Sequence, residues 1–396
     1  MRIGIDGACL SNRRGFGRFA RQIVEALARS GSNHEFVVFV DRPSLAHVSI
    51  PEGMETIAVD VREAPSKAAS ASGRRRVGDM LAMGRAVSKA NLDLIYFPAS
   101  YSFFPVWNAG KVVVTMHDTL ALAHPEWVFP DGKGKLAWRA KEQAAALWAD
   151  RIVTVSETAR RDLLAWFRLP DDRVKVVSEG PDAVFTPEAA GPTSDAVLLS
   201  YDMIPDERYL LYVGGLSPHK NLLRLIEAFA IANPSDTRLI LVGDIGDVFH
   251  THVPELREAV ARFDLNDRVH FTGFVPEDDL AYLYRRAYAL VQPSLMEGFG
   301  LPPVEAMACG TPVLSSTAGS LPEVVGEAGV FFDPTDIEAM ADALSGLLDH
   351  PSERDRLAKL ALQRASRFTW KSAARSLLDC FEELGSQQAN SFGRTA

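Results

Sequence analysis

The chain has 396 residues, 47% of them hydrophobic and 23% charged, and its formal net charge is −9. This length exceeds one ordinary hydrophobic core and predicts two domains of a water-soluble globular protein. No apolar run approaches the roughly 18 residues of a membrane span, and no basic stretch with interleaved aromatic residues predicts a nucleic-acid partner.

Charge is distributed unevenly along the chain. Residues 1–185 hold 25 Lys and Arg against 21 Asp and Glu, whereas the remaining residues hold 17 against 30. We therefore expect the first half to meet an anionic partner. The basic run Arg74–Arg76 is a candidate contact with anionic lipid headgroups, although a solvated surface explains it at least as well.

Three widely separated cysteines and a strand-like N-terminus predict the compartment. The cysteines have neither metal-ligand spacing nor an even count, and the first residues do not read as an export signal. We expect a cytoplasmic protein with reduced thiols, and peripheral contact with the cytoplasmic face of the membrane is a hypothesis.

Short apolar strands alternate with helical patterns from one end of the chain to the other. The predicted strands are residues 2–7, 35–40, 56–61, 94–98, 112–117, 152–156, 174–178, 209–214, 239–243, 269–274, 289–292, 312–315 and 330–332. The predicted helices are residues 18–29, 84–90, 136–149, 158–167, 222–232, 254–263, 277–286, 303–309, 336–348 and 370–384. This alternation predicts an α/β fold of two doubly wound Rossmann-like domains facing a cleft.

A stretch rich in Pro, Ala, Ser and Asp separates the two α/β runs. We predict a first domain over residues 1–185, a linker over 186–206 and a second domain over 207–369. From residue 370 we predict a helix that packs back toward the N-terminal domain and then a polar, disordered tail from Gln387.

The most informative motif is Glu297-Gly-Phe-Gly-Leu-Pro-Pro-Val-Glu305, which joins a predicted strand to a predicted helix. Gly298 and Gly300 permit a ligand to approach the backbone, and the helix start offers N–H groups and a positive dipole end. Both carboxylates are expected to face one pocket, where they would accept hydrogen bonds from hydroxyls. A sugar nucleotide suits both features; the alternative is a helix-capping acid beside a loop acid.

Two further residues follow predicted strands, at the sheet edge where ligands of open α/β sheets bind. Lys220 comes after the Gly214-Gly215 turn and is placed to neutralise a phosphate; a solvated surface lysine is the alternative. His117 ends an apolar run and is placed to bind a sugar hydroxyl or a leaving phosphate; a structural histidine is the alternative.

The turn Gly15-Phe-Gly17 joins the first strand to the first helix, with Arg13, Arg14 and Arg18 around it. It lacks the third glycine of a dinucleotide fingerprint, so it indicates a phosphate or acceptor contact only weakly. The sequence also has no Asp-x-Asp triplet and no cluster of His and Cys, so we predict no catalytic metal.

Taken together, these motifs resemble those of family 4 retaining glycosyltransferases with the GT-B fold, and bacterial mannosyltransferases in particular. The resemblance covers most of the chain, including Val-Thr-Met-His-Asp118, Tyr-Val-Gly-Gly-Leu-Ser-Pro-His-Lys-Asn221 and the E-x7-E signature from Glu297 to Glu305. One position departs from the pattern: many relatives have an arginine where Gly215 stands, and His219 or Arg18 are candidates to compensate.

The resemblance implies a role for each matching residue. Glu297 would contact the sugar of the donor, Lys220 its diphosphate and His117 the transferred sugar, and these three are the predicted catalytic residues. The implied donor-binding residues are Gly15, Gly17, Gly214, Gly215, Lys220, Gly243, Phe274, Gly298, Phe299, Gly300, Leu301 and Glu305.

The implied reaction transfers a hexose, with retention, from a nucleoside-diphosphate sugar to a glycan or polyprenyl-diphosphate-linked glycan of a surface polysaccharide. GDP-mannose is the favoured donor, a UDP-sugar is the second choice, and no cofactor is expected. Two alternatives remain open on the same fold: a nucleotide-sugar epimerase, and a non-catalytic nucleotide-sugar-binding subunit. The acceptor, the linkage and the oligomeric state are not fixed by the sequence.

Overall fold

The structure is a computed structural model, and it describes residues 1–12, 15–62, 76–129, 134–188, 195–244 and 252–392. The candidate residues Arg13, Arg14, Arg74 and Arg75 lie outside the described residues. The chain divides into two compact units, unit 1 and unit 2, each with its own internal contacts.

Thirteen strands are described, and each lies within two residues of a strand that the alternating pattern predicts. They are β1 (Arg2–Asp6), β2 (Glu35–Asp41), β3 (Glu55–Val59), β4 (Leu94–Phe97), β5 (Lys111–Thr115), β6 (Arg151–Thr154), β7 (Val174–Val176), β8 (Arg208–Val213), β9 (Thr237–Val242), β10 (Val269–Gly273), β11 (Ala289–Gln292), β12 (Val313–Ser316) and β13 (Gly329–Phe332).

The helices of the described residues include all ten that the sequence predicts, together with six shorter or more polar ones. They are α1 (Gly15–Ala28), α2 (Arg42–Leu45), α3 (Val77–Ser88), α4 (Leu120–Ala123), α5 (Pro125–Val128), α6 (Lys135–Trp148), α7 (Glu157–Phe167), α8 (Ala196–Ser200), α9 (Leu222–Ala232), α10 (Val253–Arg262), α11 (Glu277–Arg286), α12 (Leu301–Ala308), α13 (Leu321–Val325), α14 (Ile337–Asp349), α15 (Pro351–Ala365) and α16 (Trp370–Phe392). Within the described residues, none of these helices has the length and apolar character needed to cross a bilayer.

Unit 1 comprises Met1–Glu179 and Thr369–Ala396, and its seven strands form one parallel sheet in the order β3-β2-β1-β4-β5-β6-β7. The inner strands are apolar and buried on both faces, as in parallel sheets covered by helices. Strand order reverses between β1 and β4, so the carboxyl ends of these strands form the switch point at which open α/β sheets bind ligands.

Helix α16 belongs to unit 1 although it lies at the other end of the chain. The ring of Phe381 contacts Tyr96 of β4 with a centroid distance of 5.5 Å, and Glu383 accepts a hydrogen bond from Lys175 of β7 at 2.7 Å. Helix α16 therefore completes the covering of the sheet that the first 179 residues build.

Unit 2 comprises Gly180–Phe368, and its six strands form a second parallel sheet in the order β10-β9-β8-β11-β12-β13. Helices α9, α10 and α14 pack on it through buried residues such as Leu225, Phe229 and Leu344. Its strand order reverses between β8 and β11, and the loops that follow these two strands carry Lys220 and Glu297.

The unit boundaries differ from the predicted domain boundaries of 185, 207 and 369. Unit 2 begins at Gly180, and the segment 186–206, expected to be a linker, contains α8, whose Val197 and Leu198 are buried. Helix α16 continues to Phe392, past Gln387 where the polar tail was expected to begin, and residues 393–396 lie outside the described residues. Gln and Ala in this segment are good helix formers, so polarity alone does not end the helix.

Candidate functional site

The site with most of the predicted residues lies in unit 2, in the loops that follow β8 and β11. The first loop runs through Gly214 and Gly215 into a 3-10 turn, Pro218–Lys220, and the second runs from Pro293 to Gly300. Asn221 holds the two loops together, since its side-chain amide donates to the carbonyl oxygens of Pro293 at 3.0 Å and Pro334 at 2.7 Å. Its left-handed backbone, at φ 61°, starts α9 immediately after the turn.

Lys220 and Glu297 form an ion pair across these loops. The Lys220 Nζ lies 2.6 Å from Glu297 Oε1, although the two residues are 77 positions apart in the sequence. Both side chains are largely buried, so water screens the pair little. The structure thus brings the predicted phosphate-binding cation and the predicted sugar-binding carboxylate into direct contact.

Two other side chains fix the same carboxylate oxygen. Gln292 Nε2 donates to Glu297 Oε1 at 2.8 Å, and Ser294 Oγ donates to it at 2.7 Å. Glu297 Oε1 therefore accepts three donors, while no described hydrogen bond reaches Oε2. Sequence reasoning did not single out Gln292 and Ser294; the available signal was two polar residues at the end of an otherwise apolar strand.

The electrostatics of this network keep Glu297 ionised. Burial by itself raises the pKa of the Glu297 carboxyl, but the Lys220 ammonium and the hydrogen bonds from Lys220 and Ser294 outweigh burial and leave the pKa below its ordinary value. A carboxylate held in this way is an acceptor for hydroxyl groups across the physiological pH range.

His219 does not supply the positive charge that would replace an arginine at position 215. Burial, reinforced by the neighbouring Lys220 ammonium and opposed by Glu297, lowers the pKa of His219 to about 3. The imidazole is therefore neutral near pH 7 and is a hydrogen-bonding group, with Nδ1 3.2 Å from Ser217 Oγ. That His219 compensates for Gly215 stays a prediction, in which it would act as a neutral hydrogen-bonding group; the other candidate, Arg18, lies on α1 in unit 1.

Glu305 is more enclosed than the sequence predicted. Its side chain lies on α12, is 1% exposed and accepts a hydrogen bond from the Tyr284 hydroxyl at 3.0 Å. The expectation that both carboxylates of the motif open onto one pocket is therefore wrong for Glu305 in this structure. A contact between Glu305 and a ligand ribose stays a prediction.

The start of α12 has the backbone geometry expected of an anion site. Gly300 precedes the helix with φ 105°, a conformation that favours glycine, and a Cβ there would also lie 3.0 Å from Leu321. Among the described hydrogen bonds, none is donated by the N–H groups of Phe299, Gly300 or Leu301. The Phe299 side chain is buried against Phe368, so a ligand can meet only its backbone.

The remaining predicted residues of unit 2 lie at the carboxyl ends of neighbouring strands. Gly214 has φ 153°, and a Cβ on Gly243 would collide with the Gly214 carbonyl oxygen, so these glycines let two loops approach closely. The Tyr212 hydroxyl donates to the carbonyl oxygen of Gly215 at 2.6 Å and anchors this turn. Phe274 follows β10 and is 67% exposed, which leaves an aromatic face open for stacking.

His117 belongs to unit 1, at the end of β5. Its Nδ1 lies 3.5 Å from Glu179 Oε1 and its Nε2 3.3 Å from the carbonyl oxygen of Pro98, which follows β4. The rings of Phe16 and Phe19 lie 4.9 and 4.7 Å from its ring centroid. His117 is thus held by an acid and two aromatic rings, and no sequence pattern indicated Glu179 as its partner.

The two predicted glycines of unit 1 have different surroundings. Gly17 lies where a Cβ would collide with the backbone of Asn12, so the fold itself requires a glycine there. Gly15, the first residue of α1, is exposed and has open space around it. For metals, the described residues contain no group of three or more His, Cys, Asp or Glu side chains arranged to hold an ion.

Comparison with known proteins gives two family matches that together cover most of the chain. A model described as Glycosyltransferase Family 4 matches residues 13–229, and a model described as Glycosyl transferases group 1 matches residues 201–364. The chain is 32% identical over 300 residues to the O-antigen chain mannosyltransferase B of Escherichia coli, and the match covers 74% of this chain and 75% of the relative. In seven further relatives the match spans 32–64% of the relative's length.

Solved structures of other proteins have a similar fold. Sucrose-phosphate synthase from Thermosynechococcus elongatus superposes with a TM-score of 0.76 at 22% identity, covering 98% of this chain and 100% of that one. Anabaena HepE, solved in complex with UDP-glucose, superposes with a TM-score of 0.68 at 20% identity, covering 97% of this chain and 100% of that one. Since a family 4 model spans more than half of a chain that folds as two parallel-sheet α/β units, the chain belongs to glycosyltransferase family 4 and has the GT-B fold.

Proposed function

We propose that the chain is a retaining hexosyltransferase that acts in the synthesis of a surface polysaccharide without a metal ion. The hexose, mannose by preference, passes from a nucleoside-diphosphate sugar to a hydroxyl of a glycan or polyprenyl-diphosphate-linked glycan. The observation that carries the proposal is the buried Lys220–Glu297 pair at the switch point of unit 2, in the loop that leads to the N-terminus of α12.

The contacts of Glu297 support different roles for its two carboxylate oxygens. Oε1 is held by Lys220, Gln292 and Ser294, so Oε2 is the oxygen left to accept hydrogen bonds from sugar hydroxyls. Each such bond to a charged acceptor contributes roughly 1.5–3 kcal/mol. When a diphosphate binds, Lys220 Nζ would turn from Oε1 to the phosphate oxygens over a short distance.

The leaving diphosphate gains negative charge as the bond to the sugar breaks. Lys220 and the N–H groups of Phe299, Gly300 and Leu301 would stabilise that charge, and electrostatic stabilisation of this kind accounts for much of the rate enhancement of many enzymes. Retention would follow a front-face course, in which the leaving phosphate helps to remove the acceptor proton. His117, held by Glu179, would contact the transferred sugar.

The choice of donor rests on relatives alone. The O-antigen relative is named a mannosyltransferase, which favours GDP-mannose, while HepE was solved with UDP-glucose, which keeps a UDP-sugar as the second choice. The exposed ring of Phe274 would stack on either base without distinguishing them.

The decisive experiment compares wild type, Glu297→Gln and the exposed control Glu338→Gln with GDP-mannose and with UDP-glucose, on polyprenyl-linked and free glycan acceptors. We expect Glu297→Gln to lower kcat/KM by roughly 100-fold or more, because two charge-assisted hydrogen bonds are lost. The control should match wild type, and the anomeric configuration of the product, read by NMR, should be that of the donor.

Other outcomes would contradict the proposal and indicate a different function. Transfer by Glu297→Gln at the wild-type rate would show that the reaction does not need the Glu297 carboxylate. A product with the anomeric configuration opposite to that of the donor would exclude retention. A changed sugar in the absence of acceptor would indicate an epimerase, and donor binding without turnover on any acceptor would indicate a binding subunit.

A further inference from the structure

Helix α6 of unit 1 faces solvent with its apolar side. Leu136 and Leu147 are 80% and 72% exposed, and Ala137, Ala140 and Ala144 beside them are exposed too. These residues recur at spacings of three, four and seven, so they form one stripe along the helix. A helix on a protein surface ordinarily turns such a stripe toward the core.

The opposite side of α6 is already occupied by the sheet. Ala145 and Ala146 are buried in the core of unit 1, and Glu142 is buried beside them. We define the α6 face as this stripe together with Trp148, that is Leu136, Ala137, Ala140, Ala144, Leu147 and Trp148, and it is an additional apolar side of the helix. Isolated exposed leucines need no explanation, but on the α6 face two leucines and a tryptophan share one side of a helix with Gln143 as the polar residue among them, and grouped apolar side chains of this kind mark an interaction surface.

Aromatic side chains extend the α6 face at both ends. Trp148 and Trp107 are both more than two-fifths exposed, with their rings 6.5 Å apart and edge to face. Near the other end, the exposed ring of Trp166 on α7 lies under the Arg139 guanidinium, 5.6 Å from its centroid. Tryptophan is among the residue types most enriched where a protein meets the headgroup layer of a bilayer.

The exposed charges on α6 itself are cationic, while the exposed acid Glu126 of α5 lies near Lys135. Lys135, Arg139 and Lys141 lie on α6, and its one acidic residue, Glu142, is buried. Arg161 is exposed on α7, where Glu157 and the half-buried Asp162 are the acidic neighbours. Leucine and tryptophan on one side with lysine and arginine around them form the pattern of helices that lie in a membrane interface.

A second copy of the chain fits this surface less well. Symmetric pairing would bring the same patch of both copies together and would concentrate the cations of both copies, Lys135 and Arg139 among them, in one interface. An anionic leaflet instead attracts every one of these cations, while the leucines and tryptophans enter the boundary between headgroups and acyl chains. Charge complementarity therefore selects a lipid surface as the occupant.

We propose that the α6 face docks unit 1 onto a bilayer leaflet that carries anionic phosphate headgroups. The inference goes beyond the proposed transfer reaction and does not depend on which sugar is moved. It also places the lipid contact on α6 and not on the run Arg74–Arg76.

The test is flotation of the full chain with phosphatidylcholine vesicles that contain or lack phosphatidylglycerol. We expect wild type to float with the anionic vesicles, and less so as salt is raised. The double substitution Leu136→Ser with Leu147→Ser should lower the partition coefficient by roughly tenfold or more, because two apolar side chains no longer enter the interface. Lys135→Gln with Arg139→Gln should reduce the preference for anionic vesicles several-fold.

The matched control is Leu199→Ser with Ile204→Ser, which removes two exposed apolar side chains from unit 2 and should leave flotation unchanged. Thermal unfolding of all variants should be close to wild type, because the altered side chains are exposed. Failure of wild type to float, or flotation of the Leu136/Leu147 variant at the wild-type level, would overturn the proposal.

Two further results would also overturn the proposal. If alanines at 74–76 abolish flotation while the α6 variant still floats, the lipid contact lies elsewhere. If wild type sediments as a dimer, ignores vesicles and becomes a monomer on Leu136→Ser with Leu147→Ser, the α6 face is an interface between copies.

Discussion

The side chains around Glu297 form one hydrogen-bonded unit in which each member depends on the others. Lys220, Gln292 and Ser294 converge on a single carboxylate oxygen, so we expect removal of any one of them to change the position of Glu297, and removal of Lys220 or Ser294 also to raise its pKa. Single substitutions here will therefore report on the network as a whole, and their effects will not add.

His219 makes this loop sensitive to acid. Its pKa of about 3 in the folded chain lies well below the value of roughly 6.5 expected when unfolded. Below pH 6.5 the unfolded chain gains a proton that the folded chain does not, so the folded state loses stability as pH falls. Glu297, whose pKa is lowered, acts in a separate window, because its contribution is lost only below its ordinary value of 4.5.

The difference in unfolding free energy between wild type and His219→Asn should therefore depend on pH between 6.5 and 4.5. Wild type should lose roughly 2 kcal/mol more than the variant across this interval. Urea unfolding at half-unit pH steps measures this difference in unfolding free energy. The control is His350→Asn, because His350 is exposed. Parallel curves for wild type and His219→Asn would show that His219 titrates normally in the folded chain.

At the scale of elements, helix α1 depends on one glycine and tolerates another. A Cβ at position 17 would collide with the Asn12 backbone, which cannot move as a side chain can, whereas a Cβ at position 15 would meet open space. Overpacking of this kind costs roughly 1–3 kcal/mol, while alanine in place of glycine near a helix start can add about 0.4–1 kcal/mol.

We therefore predict that Gly17→Ala lowers the stability of unit 1 and that Gly15→Ala leaves it unchanged or raises it. Thermal unfolding of the two variants measures the difference. If Gly15 also contacts a substrate, Gly15→Ala should raise KM without a loss of stability. Equal destabilisation by both substitutions would contradict the different surroundings of the two glycines.

The alternating pattern was sufficient to predict every described strand, because parallel strands buried on both faces are continuous apolar runs. Helix α15 was missed because its buried residues, Leu357, Ala361 and Ala365, are few among many charged ones. Helix α8 was missed because five residues between turn-forming segments carry little periodicity. The apolar pattern thus predicts deeply buried elements reliably. Short or mostly polar helices such as α8 and α15 are not detected by it.

The site could be predicted in part. Its chain positions follow from the strand–glycine–helix order, which places Lys220 and Glu297 at the carboxyl ends of two strands. Their adjacency requires that β8 and β11 be neighbours in the sheet, and the burial of Glu305 depends on Tyr284 of another helix. Such contacts join residues that are far apart in sequence, so no local pattern carries them.

At the scale of the whole molecule, the two units are expected to respond differently to nucleotide. The residues proposed to bind the diphosphate, Lys220 and the start of α12, all lie in unit 2. A ligand that binds only folded unit 2 stabilises that unit by about 2.7 kcal/mol when present at 100 times its dissociation constant. Each unit has its own sheet and core, so this stabilisation need not spread to unit 1.

Hydrogen exchange, measured peptide by peptide with and without GDP or UDP, tests whether the stabilisation is confined to unit 2, since protection is read separately in each element. We expect slower exchange in peptides that cover Gly214–Lys220 and α12, and no change in β1–β5 of unit 1. The Lys220→Met variant should lose the protection, because the cation that neutralises the diphosphate is gone. Protection confined to unit 1 would move the nucleotide site out of unit 2, and with it the roles proposed for Lys220 and Glu297.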